Sequence, residues 1–312
     1  MVNQKEIFEQ VVCPVCNNED GTKKTDFSYA SNEALNIIGY KNDAPNVELI
    51  KCNNCQHHYA NPQIKSEVLD LYYSNQNSEF YAEDRLIKRD PLEKKHRIIK
   101  NKIELIKPSG SIMEIGCGEG YLLSYFDNNK WAKVGVEPSP LAAKTAETLI
   151  SGKIINDFLT KKTLTEKFDV IMLFDVIEHL KSPKDLFQII QHYLKPDGLL
   201  VVGTANIRSF SPWFAGKWWG YFGSWEHVSF FSDKSISYFL NQLDFEVLNI
   251  IKTSYKGSKL DNLSKQIFFN TPAKMFNVFP FLLKLIPKKM KSKNVYHRGA
   301  FDHMIVFSSP KV

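Results

Sequence analysis

From residue 111 onward the chain alternates short apolar runs with amphipathic stretches, and this alternation restricts the fold more than any other feature. SIMEI reads as a strand, YLLSYFDNN as a helix, AKVGVE as a strand and PLAAKTAETLI as a helix. A short third strand precedes INDFL. FDVIMLFDVI (168–177) is almost wholly apolar, as a strand covered on both faces must be. PKDLFQIIQHYL then forms an amphipathic helix stopped by KPDG, and LLVVGTA, FEVLNII and HMIVFSS complete the strands. Strand–helix–strand repetition predicts an α/β fold with a doubly wound, seven-stranded sheet.

Ligands of such sheets sit beyond the carboxyl ends of the strands, near the point where strand order reverses. The first strand runs there into SIMEIGCGEG (111–120). Its glycines let backbone close on a ligand. A triphosphate-binding loop would place Lys and Ser or Thr after the last glycine, whereas Tyr121 and Leu122 follow here. The dinucleotide fingerprint is G-x-G-x-x-G, and this loop is G-x-G-x-G. Glu119 would repel a pyrophosphate resting on the helix N-terminus, and Glu114 adds a second negative charge. The ligand should therefore lack phosphate and carry a positive centre, as S-adenosylmethionine does. Glu137, 17 residues past Gly120, is spaced to take two ribose hydroxyls, and Asp157 to reach the adenine amino group.

IMEIGCGEGYLL, GVEPS and FDVIMLFDVIEHLKSPKDLF…LKPDGLLVV resemble the successive motifs of the class I S-adenosylmethionine-dependent methyltransferases, over roughly residues 110–250. The resemblance implies a Rossmann-like sheet. It places Glu114, Gly116, Cys117, Gly118 and Gly120 around the methionine end of the cofactor. Glu137 and Pro138 would lie at the ribose, Asp157 and Phe158 at the adenine, and Phe174 and Asp175 beside the sulfonium. Asp175, Glu178 and His179 have the spacing of metal ligands on a first helical turn. A structural or cofactor-side role is expected of them, because three such groups often cap the turn.

Cys13-x-x-Cys16 and Cys52-x-x-Cys55 are two knuckles, each able to offer two thiolates. Four thiolates make a closed, structural zinc site. The 35 residues between the knuckles can hold a small β-ribbon. His57 and His58 are nearby, but four cysteines already suffice. Without zinc the ribbon should unfold locally and leave the core intact. Ribbon and core together resemble methyltransferases of sugar and polysaccharide biosynthesis, the sugar C-3-methyltransferases among them. The expected organisation is a zinc ribbon over 1–62, a helical linker or cap over 63–107, and a methyltransferase domain over 108–312. Insertions fall at about 206–231 and 255–296.

The first insertion carries Trp213, Trp218, Trp219, Tyr221 and Trp225 and leads into GSWEHVSFF. Aromatic walls with a few polar groups suit a sugar ring. Transfer to a hydroxyl or a carbon acid benefits from a general base. His227 titrates in a suitable range, and Glu226 could orient it or act itself. The sugar C-3-methyltransferase resemblance implies the same Glu-His pair and a nearby tyrosine, for which Tyr221 and Tyr81 are candidates. The alternative to catalysis is His227 capping the helix near SDKSIS. The expected acceptor is small and sugar-like, perhaps nucleotide-linked, with O- and C-methylation both open. A rival reading is an RNA methyltransferase gripping RNA with the ribbon. Against it, LFDVIEHL lacks the N/D-P-P-Y/F signature of base-amino methylation, and no basic run with interleaved aromatics marks a stacking platform.

The chain has 312 residues, 43% hydrophobic and 24% charged, with a net charge of +6, an ordinary globular balance. No apolar leader opens it, and no apolar run approaches the roughly 20 residues of a membrane span. A cytoplasmic location is expected, where paired cysteines suggest metal before disulfide. FNVFPFLLKLIPKKMKSKN (276–294) should form a packed helix, with a lid or a membrane-surface contact as alternatives. Oligomeric state is left open.

Overall fold

The computed structural model describes residues 7–27, 46–69, 79–224, 226–253 and 302–311, with backbone alone for 79–92, 214 and 218. The expectations for 276–294, Trp225 and the side chains of Tyr81 and Trp218 lie outside the described residues.

Strand β6 (Gly110–Ile115) lies inside a seven-stranded sheet. The chain first moves outward through β7 (Trp131–Val136) and β8 (Lys153–Ile155). It then crosses to the other side of β6, to β9 (Phe168–Phe174) and β10 (Leu194–Ala205). These five strands are parallel. The last strand, β13 (His303–Pro310), inserts antiparallel between β10 and β12 (Phe245–Thr253). The order reverses between β6 and β9, so a ligand site is expected at their carboxyl ends.

The apolar run 168–177 is explained by burial on both faces. Ile171 and Leu173 join one core cluster with Phe187, Ile190 and Phe239. Val170 and Met172 point the other way, among Ile99, Leu123 and Phe126. Each such side chain is stabilised by roughly 1.5–3 kcal/mol relative to exposure. The helices are α1 (Glu79–Ile106), α2 (Tyr121–Ser124), α3 (Pro140–Leu149), α4 (Pro183–Tyr193), α5 (Phe210–Ala215) and α6 (Asp233–Gln242). Ser139 caps α3, with Pro140 at its first position. Helix α1 runs through Asp90–Pro91 without a break. A proline forfeits one backbone bond, and the buried Ile99 and Ile103 anchor the later turns. Among the described residues, no helix is long and apolar enough to cross a membrane.

The N-terminal ribbon is built from β2 (Gly21–Phe27), β3 (Val47–Cys52) and β4 (His58–Asn61), paired antiparallel. Its fourth strand is β11 (Ser229–Phe230), which follows β10 in the chain. Ser229 faces Tyr59 and Phe230 faces His58. Ala60 N and Gln63 Nε2 both donate to the Val228 carbonyl, at 3.0 and 3.2 Å. A smaller ladder joins β1 (Phe8–Glu9) to β5 (Gln63–Ile64). Phe27, Val47 and Ala60 share one apolar cluster with Trp219, Phe222 and Phe230, so ribbon and core are sealed by packing as well.

Candidate active site

The loop after β6 keeps Gly116, Gly118 and Gly120 at φ of 68, 53 and 79°, the left-handed region that glycine adopts readily. A Cβ on Gly120 would come within 2.3 Å of Ile150, whereas one on Gly118 would meet nothing within 4 Å. The turn is thus tight on its protein side and open at Gly118. Glu137, just beyond β7, ties it in place. Its Oε2 accepts from Gly118 N at 2.9 Å and its Oε1 from Ser139 N at 2.8 Å. Each oxygen keeps a lone-pair site for a further donor. Asn156, which the sequence reading did not single out, donates to the Glu137 and Pro138 carbonyls at 2.9 and 3.2 Å.

Glu114 is buried, and its Oε2 has no hydrogen-bond partner. Burial, and then the charge of Glu137, push its carboxyl well above the ordinary value. A buried carboxyl oxygen lacking a donor, near a second acid and open glycine backbone, fits an ammonium-bearing ligand. Cys117 is buried beneath the loop, and burial raises its thiol, so it packs rather than reacts. Asp157 is exposed, and its Oδ1 accepts from Phe158 N at 2.7 Å. Phe158 is itself exposed.

Beyond β9, Asp175 adopts φ of 53° and a short turn over Ile177–His179 follows. Burial raises the Asp175 carboxyl, but Lys95 at 3.8 Å and His303 at 3.6 Å outweigh it and leave it below the ordinary value. Glu178 has no exposed surface. It accepts from Thr204 Oγ1, at the end of β10, at 2.8 Å, and from the Tyr221 hydroxyl. Burial, and then the charge of Asp175, push its carboxyl up to about 7. The His227 ring stacks on Tyr221 with centroids 4.0 Å apart and lies 4.8 Å from the His179 ring. Burial, and then His179, lower His227 to about 3, and burial lowers His179, so both rings are neutral at neutral pH. Burial and the charge of Glu178 hold the Tyr221 phenol well above its usual value, which keeps it a donor. One ligand atom from each of Glu178, His179 and His227 lies within 4.8 Å of the others.

Three expectations change here. Glu226 does not orient His227. The chain turns back, with His227 N on the Ser224 carbonyl at 3.1 Å, and this brings the Tyr221 carbonyl to His227 Nδ1 at 2.7 Å. The Glu226 carboxylate accepts instead from Ser224 Oγ at 3.3 Å, and its carbonyl lies 3.2 Å from His179 Nδ1. His227 does not cap α6, because Ser232 and Ser235 do so in a reciprocal capping box. Trp219 does not wall an acceptor pocket: it is buried against the ribbon, where Trp213 is 71% exposed. Thr204, His303 and the central position of Glu178 escaped the sequence reading. The nearest signal was the Glu-His pair itself in FDVIEHL.

At the ribbon tip, Cys13 Sγ and Cys55 Sγ are 3.5 Å apart, as are Cys16 Sγ and Cys52 Sγ, and all four sulfurs lie within 4.8 Å. A zinc ion with bonds of about 2.3 Å separates its thiolates by roughly 3.8 Å, so the donor set fits. The cysteines are free. The contact with Cys55 pulls the Cys13 thiol down to about 6 and pushes Cys55 up. Crowded thiols of this kind ionise together only around a cation. His57 is buried against Phe231, with ring centroids 4.5 Å apart, and stands outside the cysteine cluster.

A family model described as a methyltransferase domain matches residues 83–250. The ubiquinone biosynthesis O-methyltransferase of Histophilus somni is 30% identical over 113 residues, 33% of this chain and 47% of that protein. A tRNA U34 carboxymethyltransferase of Helicobacter pylori is 33% identical over 136 residues, 40% of this chain and 49% of that protein. The chain thus spans about half the length of the relatives it matches. A methyltransferase of Geobacter sulfurreducens solved with S-adenosylhomocysteine aligns with TM-score 0.46 and 14% identity, over 70% of this chain and 91% of that one. With more than half of its length matched by that family model, the chain belongs to the methyltransferase-domain family.

Proposed function

We propose that the protein methylates a hydroxyl of a small, sugar-like acceptor in glycan or natural-product biosynthesis. The carrying observation is the grouping of Glu178, His179, His227 and Tyr221 beyond the carboxyl ends of β9 and β10, along the sheet edge that bears the glycine loop. When bound, S-adenosylmethionine supplies a methyl group on a sulfonium, whose bonding pair stays on sulfur. Glu114 and the backbone of Gly116, Gly118 and Gly120 would hold its methionine end, Glu137 its ribose and Asp157 its adenine, with Phe174 and Asp175 beside the sulfonium. The hydroxyl gives up its proton to the Glu226 carboxylate, since burial leaves His227 too weak a base, and Tyr221 and Glu178 hold that segment in place. Similarity to proteins named for O-methylation supports oxygen as the methylated atom. The four cysteines hold one structural zinc.

The test is S-adenosylhomocysteine release against a panel of free and nucleotide-linked sugars, with phenolic acceptors and transfer RNA as further arms. Turnover confined to transfer RNA, or to no sugar, overturns the acceptor class.

A further inference from the structure

The four cysteines are not the only metal-ligating group among the described residues. Glu178, His179 and His227 form a second one, on two segments about fifty residues apart in sequence. Glu178 is wholly buried and the two histidines partly so, so this is not an incidental cluster of surface acids.

Each member is held from behind. His227 Nδ1 lies 2.7 Å from the Tyr221 carbonyl, to which it can only donate. Its proton is therefore on Nδ1, and Nε2 carries the lone pair. The Glu226 carbonyl lies 3.2 Å from His179 Nδ1. Glu178 receives the Thr204 hydroxyl at 2.8 Å and the Tyr221 hydroxyl. A carboxylate has about four lone-pair sites, so these donors do not exhaust it. Imidazoles bonded to carbonyls and a carboxylate bonded to hydroxyls are the supporting shell that metal ligands characteristically have. Two nitrogens and a carboxylate suit a first-row divalent cation rather than calcium or magnesium. Three protein ligands leave positions open to substrate, unlike the closed four-cysteine site.

Building on the proposed transfer to a hydroxyl, we propose that Glu178, His179 and His227 bind one divalent cation, which receives the acceptor's hydroxyl oxygen and acidifies it. His227 is then a ligand, and the proton passes to the neighbouring Glu226 carboxylate. The O–H bond breaks, an oxygen lone pair forms the new bond to the methyl carbon, and the carbon–sulfur pair remains on sulfur.

Manganese is the probe, because it is a first-row divalent cation that takes a carboxylate and leaves thiolates to zinc. Zinc-loaded protein is titrated with Mn2+ and free ion is read by electron paramagnetic resonance. The expected result is one Mn2+ per chain, bound at least tenfold more weakly by Glu178→Gln and by His227→Gln. Zinc content and S-adenosylhomocysteine affinity should be unchanged in both variants, which shows that they fold. Mn2+ that fails to bind, or binds all three proteins alike, overturns the cation site while leaving transfer at this centre standing. Mn2+ bound as expected, with no sugar hydroxyl methylated, leaves the site and removes the acceptor reading.

Discussion

Among the described residues two clusters could hold a metal, and they differ in nearly every respect. The cysteine cluster draws on two short knuckles, and its four donors close a tetrahedron. The Glu178 cluster draws one pair from the turn after β9 and one histidine from an insertion, and its three donors leave a side open. The first can only hold structure, and the second can act on a substrate. Yet they are joined through β4, which follows the second knuckle and pairs with β11, two residues past His227. The cysteine-bearing ribbon thus pairs with the strand that directly follows His227 of the proposed catalytic cluster.

The hardest blow to this contrast should come at the open cluster. His227→Ala is expected to lower kcat by about 10²–10⁴-fold with cofactor affinity unchanged. Wild-type turnover would show that the open cluster is as structural as the closed one.

Breaking the closed cluster tests the link. Cys13→Ser should lose its zinc by metal analysis and unfold the ribbon. From sequence alone the core should survive this, and its cofactor binding still should. Turnover, however, should fall at least tenfold, because β11 and the Val228 carbonyl lose Tyr59, Ala60 and Gln63. Full activity in zinc-free protein would separate the two clusters.

Away from both, Glu137→Ala should weaken S-adenosylmethionine binding by about 1.5–3 kcal/mol in calorimetry, with turnover at saturating cofactor little changed. It also frees Gly118 N, so a raised kcat would mean that the loop gates the reaction.

The smallest effect is a stability one. Glu114 has its folded value raised by burial, so its contribution is complete below the ordinary 4.5 and is lost as pH rises through the folded value. Glu114→Gln should therefore melt higher than wild type at neutral pH without cofactor, the gap closing near pH 4.5, and should bind cofactor more weakly. Parallel melting curves across pH would show that Glu114 ionises freely.

Legibility in the sequence followed the range of the interactions. Knuckles, glycine loop and buried strand are local patterns, and CPVC, GCGEG and FDVIMLF announced the cysteine cluster, the glycine turn and the central sheet. What the sequence concealed was long-range. Thr204 meets Glu178 only because β10 lies beside β9, and the Tyr221 carbonyl reaches His227 only because the insertion doubles back. The two-residue strand β11 has no periodicity to read, since its partner is in the ribbon. Trp219 looked like a pocket wall and proved to be packing, because an aromatic residue reads the same in either setting.

The pairing of β4 with β11 also sets an order of events during synthesis. Gln63 and Val228 are 165 residues apart. At usual elongation rates on the order of ten seconds or more separate their emergence from the ribosome. Through that interval the ribbon has three strands, and β4 is left as an additional bare edge, the situation that invites pairing with a stranger. Zinc captured early would make the waiting ribbon stiff enough to serve as a template for the last-arriving strand. Metal-starved cells should then accumulate some aggregated nascent chain beside the folded core with its loosened ribbon.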